Sequence, residues 1–556
     1  MTPSLKTTLP ASARYNAGRI TKTDFVRFVE CPLYAWLWKN RPDLREEYVQ
    51  SRLAKQGYKV EEIAEAIMEK HSGKIKIECQ MKAVTEKFYA RADIMKPSTD
   101  GKSWHLYEVK SSTEVKKEHY ADICFQYRAF TLAGYKIASL NIVLVNNDYV
   151  YDESKGLEPE QFIKIVDLTS DIHEKIDEYA PEMERAHRLL TAKEEPHVVT
   201  LKKSFKYDPP QKFSDYYHHD IPPYSIFNIA RISKQSLEKL TALGVEEITK
   251  IPDGFFKSDT QNLQVELTKN RTSFIDYDAI REELAGLEYP IYFLDYETIS
   301  PAIPLYNNMK PYQQIPFQFS LHIVDAQENN PPKKDIPAHP DIPPAKDIPE
   351  HPEIEPAKDI PPAEDIPEHP EIPPAEEVPP FQYLKSTGYL HTEKTNPVPH
   401  LVKALKDSIG PKGTVIVWNK KFECECNKGM ARAVPEYAPF LEDLNSRIYD
   451  LMLIFKDKYL DYRFKGSASI KNVLPILAPK LSYKDLEISE GGSASEAIYQ
   501  IANIYPEMSP DDFPPLTPET RDQLIADLKT YCERDTFAMV EILRNLVYRD
   551  QVSTLE

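Results

Sequence analysis

Two carboxylates stand two residues apart in Ile291-Tyr-Phe-Leu-Asp-Tyr-Glu-Thr298. The apolar and aromatic residues around them, bounded by Pro290 and Pro301, predict a buried strand. Side chains alternate across a strand, so Asp295 and Glu297 share one face at its end. Like charges that close call for a cation, and a divalent metal held by oxygen ligands is the usual one. A solvated surface strand is the competing reading of a lone Asp-x-Glu. A second constellation lies upstream. Phe88-Tyr-Ala-Arg-Ala-Asp-Ile-Met95 and Trp104-His-Leu-Tyr-Glu-Val-Lys-Ser-Ser112 read as short neighbouring strands, separated by the turn-rich Lys96–Lys102. Asp93 then lies beside Glu108, with Lys110 on Glu108's face. Two carboxylates to hold a metal, and a lysine to activate water or offset charge on a phosphate, are what metal-dependent phosphodiester hydrolysis needs. A surface salt bridge between Glu108 and Lys110 is the competing reading.

The elements that must position these groups follow from periodicity. At 556 residues the chain has room for two or three domains. Residues 1–17 are polar and expected to be frayed. The stretch Ile20–Trp38 predicts a capped helix with Phe25, Phe28 and Val29 at helical spacing, then Pro32 and an aromatic-rich turn. Tyr48–Lys70 carries a further helical pattern. Beyond Lys110 come a helix over Tyr120–Phe130, which contains Gln126 and Tyr127, and a strand over Ile137–Val145.

With these pieces in order, residues 20 to about 190 resemble the RecB-type branch of the PD-(D/E)XK nucleases, which includes the CRISPR-associated RecB-like exonucleases. The matching features are the opening helix with Cys31-Pro32, the strand with Asp93, the Glu108-Val-Lys110 strand and the helix with Gln126-Tyr127. The resemblance implies metal binding by Asp93 and Glu108, a catalytic role for Lys110, and support of the site or the substrate by Gln126 and Tyr127. It also implies an upstream metal ligand, for which His71 and Glu78 are the two candidates. Many such relatives hold an iron–sulfur cluster on one early and three late cysteines. Here Cys31 is present, but Leu201–Tyr224 holds no cysteine, and a cluster needs about four thiolates. No iron–sulfur cluster is expected.

Residues 201–285 read as a helical linker. Adjacent His218 and His219 sit in a Tyr/Asp/Pro-rich loop and are expected to be solvated. Ser225–Asp253, with apolar residues at helical spacing broken at Gly244, resembles a helix–hairpin–helix module. A plain two-helix connector fits the pattern equally well. Past the strand of Asp295, Pro316–Val324 predicts a partner strand, and then regular structure stops. A twelve-residue unit beginning Lys-Asp-Ile-Pro recurs from Lys334, and residues 331–380 hold 17 of the 47 prolines, with no glycine or aromatic residue. Such a composition cannot build a packed core and favours extended polyproline II, so 328–381 is read as a disordered insert. Its His339, His351 and His369 are explained by repetition of the whole unit.

Structure is expected to resume with a helix over His400–Ile409, a strand over Thr414–Asn419, a second strand before Asp450, a capped helix after Gly466 and a last helix over Pro518–Tyr548. Tyr531 and Asp535, four apart, share a face of that helix. Asp295-x-Glu297, then Asn419-x-x-Phe422-Glu423, then Tyr531-x-x-x-Asp535 resemble the DnaQ-like, RNase H-fold exonucleases of the DEDDy type over residues 286–550. The second motif ends in Glu423 where that family has Asp. The resemblance implies two Mg²⁺ or Mn²⁺ ions held by Asp295, Glu297, Glu423 and Asp535, with Tyr531 orienting the attacking water. Asn419 is assigned to substrate, Asp450 to fixing the fold beside the site, and the aromatic and basic run Lys456–Lys465 to single-strand contacts. The whole arrangement resembles a bacterial domain-of-unknown-function family.

The expected fold class is therefore α/β. A restriction-endonuclease-like domain spans 18–200, a linker 201–285, and an RNase H-like mixed-sheet domain 286–550, interrupted by the insert. A net charge of −18 argues against nonspecific coating of nucleic acid, although residues 331–380, with 4 Lys against 5 Asp and 8 Glu, contribute half of it. Scattered cysteines at 31, 79, 124, 424, 426 and 532 and the lack of a signal or membrane segment predict a cytoplasmic chain. The expected function is hydrolysis of DNA, exonucleolytic and 3′–5′ at the second site, in repair or defence against foreign DNA. The rival class is a nucleic-acid-binding or scaffolding protein whose Pro-rich arm docks a protein partner.

Overall fold

The computed structural model describes residues 18–45, 52–73, 75–196, 216, 221–325, 384–483, 485–488, 490–504 and 515–553. The N-terminus 1–17, His218, His219 and the Pro-rich insert with His339, His351 and His369 lie outside the described residues. A first mixed sheet has the order β1 (Ile20–Thr21), β3 (Phe88–Pro97), β4 (Trp104–Lys110), β5 (Ile137–Val145), β6 (Ile163–Asp167), with β2 (Glu78–Val84) also on β3. The pairs β3–β4 and β5–β6 are antiparallel, and β4–β5 is parallel. Alternation along β5 explains its two-sided burial. Leu140, Ile142 and Leu144 face one core, and Val143 and Val145 face another. Helices α1 (Lys22–Glu30), α2 (Pro32–Asn40), α4 (Lys117–Leu132) and α5 (Thr169–Leu190) supply the first core, with Phe25, Phe28 and Phe125 fully buried. Each such ring contributes roughly 1.5–3 kcal/mol by leaving water. Helix α3 (Arg52–Ser72) covers the other face through Val60, Ala64 and Ile67.

The second sheet, also mixed, has the order β10 (Leu384–Leu390), β9 (Ile315–Val324), β8 (Ile291–Ile299), β11 (Val415–Val417), β12 (Ile448–Asp450). The pairs β10–β9 and β9–β8 are antiparallel, whereas β8–β11 and β11–β12 are parallel. Strand alternation again sorts the residues. Tyr292, Leu294 and Tyr296 pack with α9 (Val398–Ser408), α10 (Lys420–Ala433) and α13 (Gly491–Ile501). Ile291 and Phe293 pack with α12 (Ile470–Leu477) and the long α14 (Pro518–Ser553). No helix among the described residues is long and apolar enough to cross a membrane.

Between the sheets, Ile226, Leu240, Ile248, Phe256 and Val265 close a small core of their own. The pattern in Ser225–Asp253 predicts two helices, and only α6 (Lys234–Ala242) is an α-helix. Gly244 turns the chain at φ +69°, and the short stretch before Pro252 holds a 3-10 turn, Ile248–Lys250. Helix α7 (Asp259–Asn270) follows, and β7 (Ser273–Ile275) pairs antiparallel with β13 (Tyr459–Asp461), which ties the connector to the second unit.

The link between β8 and β9 reaches back to the first unit. Tyr151 N–H donates to Met309 O (2.9 Å), Asn308 N–H to Tyr151 O (2.8 Å), and the Tyr312 hydroxyl to Ser111 O. Ala302, Ile303 and Tyr312 share the apolar cluster of Val60, Val109 and Val143.

Candidate active sites

Asp295 and Glu297 occupy alternate positions near the end of β8, opposite Ser320 and Gln318 of β9, with a register shift just after Glu297. They lie on the face that α14 covers, because Ile291 and Phe293 of the same parity pack there. Besides that apolar packing, polar contacts set the register of α14 on β9. Gln318 Nε2 donates to Leu528 O (2.9 Å), and Thr536 Oγ1 meets Ser320 Oγ (2.8 Å) and His322 Nδ1 (2.9 Å). These contacts bracket Tyr531 and Asp535 and set them against the strand. On the other side, the Tyr296 hydroxyl donates to buried Asn427 Oδ1 (2.9 Å), fixing α10 one turn beyond Glu423. The Tyr483 hydroxyl donates to Asp535 Oδ1 (2.5 Å), and its ring lies 6.4 Å from that of Tyr531.

The result is a desolvated group of acids. Burial, then Asp535, Glu297 and Glu423, hold the Asp295 carboxyl well above the usual range. Burial and then Asp535 push Glu297 up to about 8, against the pull of Lys471. Burial, with a smaller push from Asp450, brings Glu423 to about 8. Burial raises Asp535 to about 6, with Tyr483, Lys471 and Tyr531 working the other way. Glu423 is 2% exposed, and its Oε2 has no hydrogen-bond partner. A buried carboxylate oxygen without a partner is costly unless a cation completes it. Atoms of Asp295, Glu297 and Cys532 lie within 4.8 Å of one another, as a shared ion requires. Buried oxygen donors of this kind suit a divalent metal.

In the first unit, Ile94 pairs with Tyr107, and the same register sets Asp93 across from Glu108. Asp93 Oδ2 accepts from Val109 N–H (2.8 Å). Glu108, 1% exposed, accepts from Lys110 Nζ (2.5 Å), Lys22 Nζ (2.6 Å) and Gln126 Nε2 (2.6 Å). Asp122, one turn before Gln126 on α4, accepts from Lys110 Nζ (2.7 Å) and Gln126 Nε2 (2.9 Å). Burial works to lower the Lys110 pKa, but Asp122, Glu108 and Asp93 more than offset it and hold the ammonium charged. Three carboxylates gathered around positive charge form an oxygen donor set that suits a hard cation.

Tyr127 is half-buried, with its ring 5.4 Å from His173. His71 and Glu78 are exposed; His71 acts on Glu160, and Glu78 lies 3.9 Å from Lys76. Glu61 of α3, which feels Glu108 and Lys22, is the acid that comes near the first site instead. Cys31 is buried at the α1–α2 junction, where its sulfur accepts from Tyr34 N–H (3.4 Å). Asn419 is exposed at the start of α10, and Asp450 accepts from Lys420 N–H and Met452 N–H (both 3.2 Å). The run Lys456–Lys465 departs from the expectation of base stacking: Tyr459 and Phe464 are core residues packed with Phe455, and Arg463 pairs with Asp461 at 2.6 Å. Apolar demand from the β13 region outweighs the basic flanks. Lys22, Glu61, Asp122, Tyr483 and Lys471 escape the sequence reading. Only Asp122 carries a signal, its spacing of four from Gln126.

The sequence matches the family described as "Domain of unknown function (DUF2779)" over residues 292–353 and 365–469, a span that includes Asp295, Glu297 and Glu423. No curated protein matches it. Among solved structures, an alkaline exonuclease (LHK-Exo) from Laribacter hongkongensis is similar at 17% identity and a TM-score of 0.21, over 32% of this chain and 93% of that one. A protein designated SSO0001 is similar at 14% identity and a TM-score of 0.22, over 30% of this chain and 76% of that one. Likenesses of this size carry no argument about activity. The chain thus carries, in its second unit, a match to a family whose own description assigns no function.

Proposed function

We propose that the chain is a divalent-metal-dependent nuclease that hydrolyses phosphodiester bonds of DNA, with 3′–5′ exonucleolytic action at the second site. The observation that carries this reading is the buried Asp295, on which Asp535, Glu297 and Glu423 all act, together with the partnerless buried Oε2 of Glu423 and with Tyr531 beside Asp535. The sheet order β10-β9-β8-β11-β12 supports an RNase H-like unit. Asp93 and Glu108 on neighbouring antiparallel strands, followed by Lys110, support a PD-(D/E)XK-like unit and a second centre.

Bound Mg²⁺ or Mn²⁺ would supply activation of water and neutralisation of the charge that develops on the leaving oxygen. The chain's own groups do the rest. Tyr531 keeps its proton, since burial and then Asp535 raise its pKa, and its hydroxyl is a donor that can orient the attacking water. Tyr483 and Tyr531 both hydrogen-bond Asp535 and hold its carboxylate in place. In the first unit, Lys110 presents a permanent positive charge to a phosphate, and Gln126 orients Glu108 and Asp122.

The test is degradation of end-labelled single- and double-stranded DNA and RNA with Mg²⁺ or Mn²⁺, by wild type, Asp295→Ala and Lys110→Ala. Loss of one activity in each variant supports two working centres; identical rates in all three overturn the assignment. A second reading, a nucleic-acid-binding or scaffolding protein with one centre degenerate, draws on the ammonium of Lys22 lying among the first site's carboxylates.

A further inference from the structure

The first site contains a cation that its chemistry as described leaves without a role. Lys22 opens α1, and the Thr21–Asp24 capping box sets it there: Thr21 Oγ1 accepts from Asp24 N–H (3.1 Å), and Asp24 Oδ2 from Thr21 N–H (2.9 Å). Lys22 Nζ lies 2.6 Å from Glu108 Oε1 and 3.9 Å from both Asp93 Oδ1 and Asp122 Oδ1. Lys22 Nζ thus sits among three buried carboxylates and is closest to Glu108, the acid already read as a metal ligand.

We propose that Lys22 is a resident counter-ion of the Asp93–Glu108–Asp122 trio, which a divalent metal must displace in order to bind. The inference rests on reading Asp93 and Glu108 as metal ligands. Glu108 Oε1 already accepts both Lys22 and Lys110, the latter at 2.5 Å. A divalent ion on that oxygen would meet two ammonium groups at close range, and the repulsion is strong in a buried setting. Lys110 is held from the far side by Asp122 at 2.7 Å, so Lys22, held at 3.9 Å by its other two partners, is the one free to leave. Its flexible stem and compact, readily hydrated head suit departure, as a forked guanidinium would not. Without metal, Lys22 shares with Lys110 the neutralisation of the three carboxylates. With metal, the same carboxylates are satisfied and Lys22 returns to solvent.

The experiment is Mn²⁺ titration of the full chain carrying Asp295→Asn and Glu423→Gln, which removes metal held at the second site. Binding is read by electron paramagnetic resonance and calorimetry. Adding Lys22→Met should tighten Mn²⁺ binding about tenfold and lower the melting midpoint in chelator, with recovery on Mn²⁺ addition. Adding Lys22→Arg should weaken Mn²⁺ binding several-fold, and this variant serves if Lys22→Met does not fold without metal. A Lys22→Met protein that binds Mn²⁺ no more tightly than its parent overturns the displacement, as does a Lys22→Arg protein that binds no more weakly. Asp93→Asn in the same background separates the two ideas. If it binds Mn²⁺ like its parent, the trio is not a metal seat and the reading of the first site fails with it; if binding is lost there but Lys22→Met changes nothing, only the displacement fails.

Discussion

On the proposed reading, single side chains decide what each of the two centres does. Lys110 approaches Glu108 and Asp122 and is placed to assist chemistry more than to ligate, so Lys110→Ala should cost one activity roughly a hundredfold or more while metal binding persists. Single-turnover cleavage beside a metal-binding isotherm checks both halves. At the second centre the acids predict a pH effect. Glu297 and Glu423 are pushed to about 8 and Asp535 to about 6, all above their unfolded values. The folded state therefore binds extra protons between those values and about 8, and stability falls as pH rises through that window. Metal-free protein should melt progressively lower from pH 5 to pH 8.5, and Mn²⁺ should reverse the loss most at the alkaline end. Calorimetry in chelator and in Mn²⁺ tests this; Glu297→Gln should flatten the metal-free slope.

At the scale of elements, the second centre depends on how α14 is held. Thr536 is the common partner of Ser320 and His322, and all three are buried. Thr536→Val keeps the shape but removes the hydroxyl that Ser320 and His322 share, at a cost of about 1–3 kcal/mol. The variant should melt lower and lose activity at the second centre, with the first centre's rate unchanged in the Asp295→Ala background. This dependence shows why some of the site was legible in the sequence and some was not. Asp295 and Glu297 announce themselves through strand alternation, and Tyr531 and Asp535 through helical spacing, because both patterns are local. Asp93 and Glu108 could be paired because only a short turn separates their strands. Tyr483 and Lys471 reach the acids, and Lys22 reaches Glu108 from 86 residues away, only through tertiary packing, and no local period encodes that. The run Lys456–Lys465 misled for the converse reason. Its rings have the composition of a binding strip, and the core claimed Tyr459 and Phe464.

For the molecule as a whole, the two proposed centres use different side chains, so Lys110→Ala and Asp295→Ala should combine with additive losses on the substrates each affects. The Pro-rich repeat should be dispensable for both. Residues 331–380 supply none of the site residues, and β9 and β10 pair on either side of them over Leu384–Val324 to Leu390–Gln318. Replacing them with a short Gly/Ser linker changes loop-closure entropy by under about 1 kcal/mol per halving of length. The expected outcome is an unchanged melting midpoint and unchanged exonuclease rate; a midpoint lower by several degrees would show that the repeat packs on the domain.

The link between β8 and β9 stands in contrast to that repeat, although both join neighbouring antiparallel strands of one sheet. It leaves β8 after Ile299, two residues past Glu297; the Thr298 hydroxyl bonds Gln314 at its far end (2.7 Å), and on its way the link seats Tyr312 against Ser111, the residue after Lys110. An inserted residue there would be felt twice, once in the register that aims Glu297 and once beside the lysine of the other centre. The next connection along the sheet has accepted a whole repetitive segment. One hairpin is thus open to insertion and its neighbour closed to it, and the difference lies in what the link touches rather than in its length.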